Sequence, residues 1–279
     1  MVSVVLCTFN RADLLPRAVG SVLGQDYGNL ELIIVDDAST DGTEALVGSF
    51  EDERIVYIRN DTNIGAAASR NRGIALARGE FVAFQDSDDV WLPGKLSRQL
   101  EALKDPPASY AACYSSLWRV GPAGISMLPG KNAAGEGDDL FDKLLRWNLV
   151  GIPTLVVRKD CLTRVGALDE RLPRLIDWDL ALRLAREYPV LFCREPLLLS
   201  YHTESSITEN VDAYIESVAL ILSKYAEDYK GRWWLVVNHY LFNARYLARN
   251  RRYGRALEYL LKALGVPLQR LITGEVTIP

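Results

Sequence analysis

The first hundred residues alternate short apolar runs with amphipathic ones, and that alternation confines this stretch to a mostly parallel α/β sheet flanked by helices. "VSVVLCT" (2–8) is β-branched and apolar almost throughout, the pattern of a strand buried on both faces. "RADLLPRAVGSVLGQ" then spaces Leu14, Leu15, Ala18, Val22 and Leu23 along one helical face. The pattern repeats through strand "LELIIVDD", helix "DGTEALVGSF", strand "RIVYIRN", helix "GAAASRNRGIALA", strand "EFVAFQD" and helix "LPGKLSRQLEALK". Pro93 falls near the last helix start, where a missing N–H is tolerated. Strand–helix–strand order of this kind implies right-handed crossovers.

Sheets of this type bind ligands outside the carboxyl ends of their strands. Those ends are where the polar residues collect. Thr8 and Asn10 follow the first strand, Asp36 and Asp37 end the second, Asn63 and Gly65 follow the third, and Asp86, Asp88 and Asp89 end or follow the fourth. Four loops thus converge on one rim.

Each motif has a plain reading beside the functional one. Asp36 and Asp37 could serve the following turn, although Asp41 and Glu44 already resemble the start of a capping box. Carboxylates at such a strand end can instead accept from a base N–H or ribose hydroxyls. "DSDD" (86–89) is either a solvated acidic turn or a site for a hard divalent cation such as Mg²⁺ or Mn²⁺. In "NIGAAASRNRG", Gly65 permits a tight turn and Arg70 and Arg72 offer cations at a helix start that favours anions. In "LIDWDLALR", Asp177 and Asp179 suit either an N-terminal cap or a general base. There is no GxxxxGK[ST] and no GxGxxG after the first strand, which argues against a P-loop ATPase and a dinucleotide dehydrogenase.

Beyond residue 105 the alternation weakens. "SYAACYSSLWRV" and "PTLVVRKD" read as strands, residues 121–137 as a Gly-rich loop, "DWDLALRLAREY" as a helix and "VLFCREPLLLSYH" as one or two strands. From about residue 211 the pattern is helical throughout. The four cysteines form no metal-binding spacing and read as small buried hydrophobes in a reducing compartment. The start lacks the pattern of a signal peptide, and no apolar run is long enough to span a bilayer, so a cytoplasmic placement is expected. With 49% hydrophobic residues and a net charge of −4, nothing suggests a nucleic-acid partner. From Arg232 onward, however, eight Lys/Arg stand against two Asp/Glu.

Taken together, "SVVLCTFNR", "SVLGQDYGNLELIIVDDASTDGT", "NIGAAASRNRG", "GEFVAFQDSDDVWLPGKL", "VGALDERL" and "DWDLALRLA" resemble the family-2 glycosyltransferases of the GT-A fold, in order and spacing over roughly residues 1 to 205. The resemblance implies an inverting transfer of a sugar from a nucleotide-diphosphate donor, most often UDP-linked, to a glycan, lipid-linked or protein-linked acceptor. It implies residues 1–105 as the nucleotide-sugar-binding α/β half, 106–210 as the acceptor-binding and catalytic half of the same GT-A domain, and 211–279 as a helical extension.

Carried onto this sequence, the resemblance assigns Thr8, Asn10, Arg11, Asp36, Asp37, Asn63, Gly65, Arg70, Asp86 and Ser87 to the nucleotide, with Asp37 toward the base and Arg70 toward the diphosphate. Asp86 and Asp88 match the DxD, Asp88 being the principal ligand of a Mn²⁺ or Mg²⁺ ion and His202 a further candidate. Asp177 matches the aspartate of the family's Glu-Asp pair, the general base, and Asp179 is the weaker alternative. Ile176 stands where the pattern has glutamate. The aromatic, basic tail fits packing on the catalytic part first, then peripheral docking on an anionic membrane face, or a homodimer contact. The rival functions are a phosphoacceptor receiver domain, which would be about half this length with its acid pair after the first strand, a catalytically inactive nucleotide-sugar-binding homologue and a sugar-nucleotide nucleotidyltransferase. The last would carry a Gly-rich basic loop after the first strand, where "CTFNRADLL" stands.

Overall fold

In a computed structural model the chain is described for residues 1–104, 110–122, 124–130, 139–202 and 209–273. In chain order the elements are β1 Val2–Thr8, α1 Leu15–Leu23, β2 Leu30–Asp36, α2 Thr43–Gly48, β3 Ile55–Arg59, α3 Ala66–Leu76, β4 Phe81–Asp86, β5 Val90–Trp91, α4 Lys95–Lys104, β6 Ala112–Gly121, β7 Gly124–Leu128 and α5 Asp139–Leu144. They continue with β8 Leu155–Arg158, α6 Lys159–Val165, α7 Ile176–Glu187, β9 Val190–Tyr201, α8 Val211–Lys224, α9 Ala226–Tyr229, α10 Trp233–Arg249 and α11 Tyr253–Thr273. Two compact units result. The first comprises Met1–Phe141, Leu149–Glu170 and Ile176–Thr203, and the second Asp142–Asn148, Arg171–Leu175 and Glu204–Pro279.

The first unit is built on one sheet in the order β3-β2-β1-β4-β8-β6-β9-β5, with β7 beside β6. The four strands β3, β2, β1 and β4 are parallel, as the alternation of strands and helices requires. β8 runs antiparallel to both β4 and β6, so the sheet is mixed beyond the first half. Every residue of β2 is buried. Val4, Leu6, Leu32 and Ile34 share one core with Leu15, Ala18 and Val22 of α1. On the other face α3 approaches so closely that a Cβ at Gly73 would lie 2.5 Å from Val5 Cγ1. Register levels the strand ends: Thr8 opposite Asp36, Asp36 opposite Arg59, and Cys7 opposite Asp86.

Three short elements depart from the sequence pattern. Within the expected loop 121–137, β7 forms a hairpin with β6, while residues 123 and 131–138 lie outside the described set. β5 is only two residues long, too short to show a period, and α6 begins inside the run that reads as strand "PTLVVRKD". β9 is one strand, with a register irregularity opposite Ser115 and Ser116.

In the second unit Asn210 caps α8, its side chain accepting from Ala213 N at 3.0 Å. α10 packs on α11, with the Tyr240 and Tyr259 rings 5.9 Å apart. His239 Nε2 and the Tyr229 hydroxyl both reach the Leu145 carbonyl, at 2.8 and 2.9 Å. No helix among the described residues is long and apolar enough to cross a membrane.

Candidate active site

The adjacent acids after β2 have different surroundings because successive side chains point to opposite sides. Asp36 is fully buried and accepts from Ser39 N at 2.9 Å and the Tyr57 hydroxyl at 2.8 Å, with Arg59 Nε 3.6 Å away. Burial and this carboxylate push the Tyr57 phenol upward. Asp37 Oδ1 accepts from Asn60 Nδ2 at 2.7 Å and Ile64 N at 2.8 Å, and its Oδ2 from Gly65 N at 2.9 Å. Asp37 therefore folds the loop after β3 into the start of α3, where Gly65 adopts φ +88°.

The loops after β1 and β2 are stitched together. Asn10 N donates to Ser39 Oγ at 2.9 Å, and Asn10 Oδ1 accepts from Thr40 N at 2.7 Å. Asn10 and Ala38 both have left-handed backbones, φ +51° and +63°, which cost energy in non-glycine residues and concentrate at functional sites. Thr8 Oγ1 is buried with no partner. Arg11 is half-buried, and Asn63 is exposed at the same rim beside Ile64.

Arg70 projects from the second turn of α3, its Nη2 2.5 Å from Asp86 Oδ1 at the end of β4 and its Nη1 3.3 Å from the Ala66 carbonyl. Its Nε is buried without a partner. Burial opposes the Arg70 charge, but Asp86 and Cys7, with a smaller contribution from Asp177, outweigh it and raise its pKa. Asp86 is pushed above the usual carboxylate range by burial and by Asp88, with Arg70 opposing. Asp89 is pushed much further by burial and then by Asp86 and Asp88, although the Ser200 side chain and Tyr201 backbone donate to it. Ser87 is buried between them and Asp88 is half-exposed. The turn is clamped from outside: Arg17 Nη2 donates to the Asp88 carbonyl at 2.8 Å while its guanidinium lies 4.1 Å from the Tyr201 ring centre.

Three crowded acids stand beside Arg70, and burial together with the neighbouring carboxylates pushes Asp86 and Asp89 upward. A hard cation with oxygen ligands fits that donor set and would favour their charged forms. Among the described residues no group of three or more His, Cys, Asp or Glu could hold a metal ion alone. Further ligands would have to come from a bound molecule, the usual arrangement for Mg²⁺-type sites.

Asp177 lies in the first turn of α7, with its Oδ1 accepting from Trp178 N at 2.8 Å, and its charge is felt at Arg70. Leu175, two residues earlier, has φ +59°. Asp179 is placed differently. It is fully buried and ion-paired to Arg183 Nε at 2.9 Å, and Arg183 also donates to the carbonyls of Val165, Gly166 and Ala167. That pair ties α7 to the end of α6. His202 is exposed at the end of β9, its N–H donating to the Val120 carbonyl at 2.9 Å, and the following residues 203–208 lie outside the described set.

Sequence reasoning passes over several residues that build this site. Asn60, at the end of β3, meets the same strand-end rule that picks out the acids, and it bonds Asp37, Ser69 Oγ and Arg72. Asn71 holds the 168–170 loop through both Leu168 backbone groups and the Glu170 carboxylate. Arg17 has no sequence signal, being one of several exposed residues on α1.

Comparison with known proteins is consistent with this architecture. Residues 3–139 match the family described as Glycosyl transferase family 2. WcaA of Escherichia coli K12, named for colanic acid biosynthesis as a glycosyl transferase, is 37% identical over 199 residues, 67% of each chain. WfaP of Escherichia coli, named as a UDP-Glc:alpha-D-GlcNAc-diphosphoundecaprenol beta-1,3-glucosyltransferase, is 39% identical over 104 residues; the match spans 37% of this chain and only 41% of that relative's length. Among solved structures, Staphylococcus aureus TarS 1-349 in complex with UDP-GlcNAc superposes with a TM-score of 0.68 at 20% identity, covering 96% of this chain and 80% of that one. The mannosyltransferase PcManGT from Pyrobaculum calidifontis, in complex with GDP-Man and Mn²⁺, gives 0.65 at 18% identity, covering 98% and 78%. The mixed sheet and its strand-end rim are those of the GT-A fold, and the chain belongs to glycosyl transferase family 2.

Proposed function

We propose that this family-2 glycosyltransferase transfers a sugar, with inversion, from a UDP-linked donor to a hydroxyl of a glycan or lipid-linked acceptor, using Mn²⁺ or Mg²⁺. The observation that carries this reading is the crowding of Asp86, Asp88 and Asp89 beside Arg70 on the strand-end rim. The names of its relatives support it: WfaP has a UDP-glucose donor and a diphosphoundecaprenol acceptor, and TarS was crystallised with UDP-GlcNAc. The PcManGT complex with Mn²⁺ supports the metal.

In this reading residues 1–105 bind the donor, 106–210 supply the base and acceptor surface, and 211–279 form the helical extension. Thr8, Asn10, Arg11, Asn63 and Ser87 line the nucleoside side, while the buried Asp36, with Asp37 and Gly65, shapes the loops around it. Arg70, beside the acid turn, faces the diphosphate and steadies charge on the departing group. Asp86 and Asp88 hold the cation, with His202 a third candidate from β9. When bound, the ion supplies Lewis-acid stabilisation of the leaving diphosphate. Asp177 takes the proton of the acceptor hydroxyl as its oxygen bonds the anomeric carbon and the bond to the diphosphate oxygen breaks. A positioned base of this kind contributes about 10²–10⁴ in rate. Asp179, occupied by Arg183, positions α7 instead.

Ile176 favours a second reading, a homologue that binds donor without turning it over. Calorimetric titration with UDP, GDP and dTDP, each with and without Mn²⁺, on the parent and on Asp88→Asn, tests the donor site. Metal-dependent binding of UDP that is lost in the variant is expected. Absence of nucleotide binding under every condition would overturn the assignment, and binding without transfer to any acceptor would leave the inactive reading.

A further inference from the structure

α11 is apolar on two sides, and only one of them is covered. Ala256, Tyr259, Ala263 and Val266 are buried. At helical spacing beside them, Tyr253, Leu257, Leu261 and Leu264 are each more than half exposed, and Leu260 is 42% exposed. Five large apolar side chains spaced at 253, 257, 260, 261 and 264 form one stripe about 100° wide. An ordinary surface helix places charges there.

α10 presents a different exposed face. Trp234, Leu241 and Phe242 share it with the exposed Arg245 and Arg249, and Phe242 stacks edge-on against the half-exposed Trp147 at 5.4 Å. Apolar and aromatic groups beside arginines on one face are the pattern of helices lying in a membrane interface. The charge also favours lipid over self-association. From Arg232 onward eight Lys/Arg stand against two Asp/Glu; Arg232 pairs with Asp142, Arg252 and Arg255 with Asp212 and Lys262 with Glu258, so the cations that matter on the apolar face are the exposed Arg245 and Arg249. A symmetric dimer through the exposed face of α10 would bring Arg245 and Arg249 against their own copies, whereas anionic headgroups complement them.

We propose that α10 and α11 dock this protein peripherally on an anionic lipid bilayer, the leucine stripe of α11 entering the headgroup–acyl boundary and Arg245 and Arg249 meeting lipid phosphates. The proposal goes beyond the donor-site reading and stands on different residues.

The test is flotation of the full chain with vesicles of phosphatidylcholine alone and of phosphatidylcholine with phosphatidylglycerol, run beside Leu257→Glu/Leu261→Glu and Arg245→Glu/Arg249→Glu. All four positions are exposed, so both variants should fold, and UDP titration on the same preparations monitors that independently. The parent should float with the anionic vesicles and lose binding at high salt, and each double variant should bind about tenfold or more weakly. Failure of the parent to float with either vesicle overturns the proposal, as does flotation of the leucine variant like the parent. Light scattering supplies the remaining outcome: a dimer in the parent that becomes a monomer in Leu257→Glu/Leu261→Glu would assign the stripe to a second copy and overturn lipid docking.

Discussion

Arg70 Nη2 and Asp86 Oδ1 meet at 2.5 Å, joining the second turn of α3 to the end of β4, while Arg70 Nε is buried without a partner. The arginine's charge is thus tied to the acid turn, while its buried Nε hydrogen bond is left unmade. Asp86, in turn, faces Asp88 and Asp89 with this one cation beside it. Removing the arginine leaves a half-buried acid uncompensated beside two others. Arg70→Ala should destabilise the fold by about 1–2 kcal/mol, the pair being only part-buried, and raise the donor KM at least as strongly as it lowers kcat. Arg70→Lys should recover part of the stability but less of the donor affinity, because it keeps the charge without the planar fork. Urea denaturation and steady-state kinetics check both.

Burial, and then the neighbouring carboxylates, raise Asp86 and Asp89, so the charged acid turn is destabilised until a cation binds. Asp88→Asn should therefore be as stable as the parent or more stable in chelator-treated protein, by about 1 kcal/mol or less. Mn²⁺ with UDP should raise the melting temperature of the parent and leave that of Asp88→Asn nearly unchanged. Thermal scans with and without both additions test this.

Asp177→Asn should lower turnover by about 10²–10⁴ while UDP affinity stays within a factor of about two to three. By contrast, Asp179→Asn should act through stability, because it breaks the buried pair with Arg183 that holds the start of α7 to the end of α6. Single-turnover kinetics and denaturation separate the two effects.

Gly73→Ala should cost about 1–3 kcal/mol, since its Cβ would sit 2.5 Å from Val5 Cγ1 in a fully buried interface. α3 must then shift away from β1, carrying Arg70 with it, so donor KM should rise as well. Chemical denaturation with donor kinetics shows whether the two changes travel together.

Lys95 is fully buried, its Nζ donating to Gln99 Oε1 at 2.6 Å and lying 4.4 Å from the Trp91 ring centre. Burial pushes its ammonium down from 10.5 to about 7. Between these values the unfolded chain binds more protons than the folded one, so stability should rise with pH across that window, by an amount on the order of a few kcal/mol. Below about pH 7 the penalty is present in full. Lys95→Met should flatten the slope between pH 7 and 10, measured as the difference in unfolding free energy between parent and variant.

Much of the fold is legible locally. A β-branched run such as residues 2–8 and the one-sided helix around Leu15, Ala18 and Val22 each carry their own periodicity, and they form β1 and α1. The parallel order of β3, β2, β1 and β4 follows, since helical crossovers join parallel strands. Elements too short for a period do not reveal themselves: β5 has two residues, and β7 is hidden in a Gly-rich stretch. Both exist because a neighbouring strand offers them hydrogen bonds.

What the sequence alone determined is the family, the α/β alternation and the rim on which acids, amides and Arg70 gather, because composition, period and motif spacing are properties of the chain itself. Only the tertiary structure decided what each acid does there. Asp37 accepts from Gly65 N 28 residues away, Arg183, the partner of Asp179, is drawn to the Val165 and Gly166 carbonyls, and Arg17 clamps the Asp88 carbonyl across 71 residues. A carboxylate that faces inward to a backbone donor and one that faces outward to solvent are the same letter in a sequence. They differ through the neighbours brought by packing.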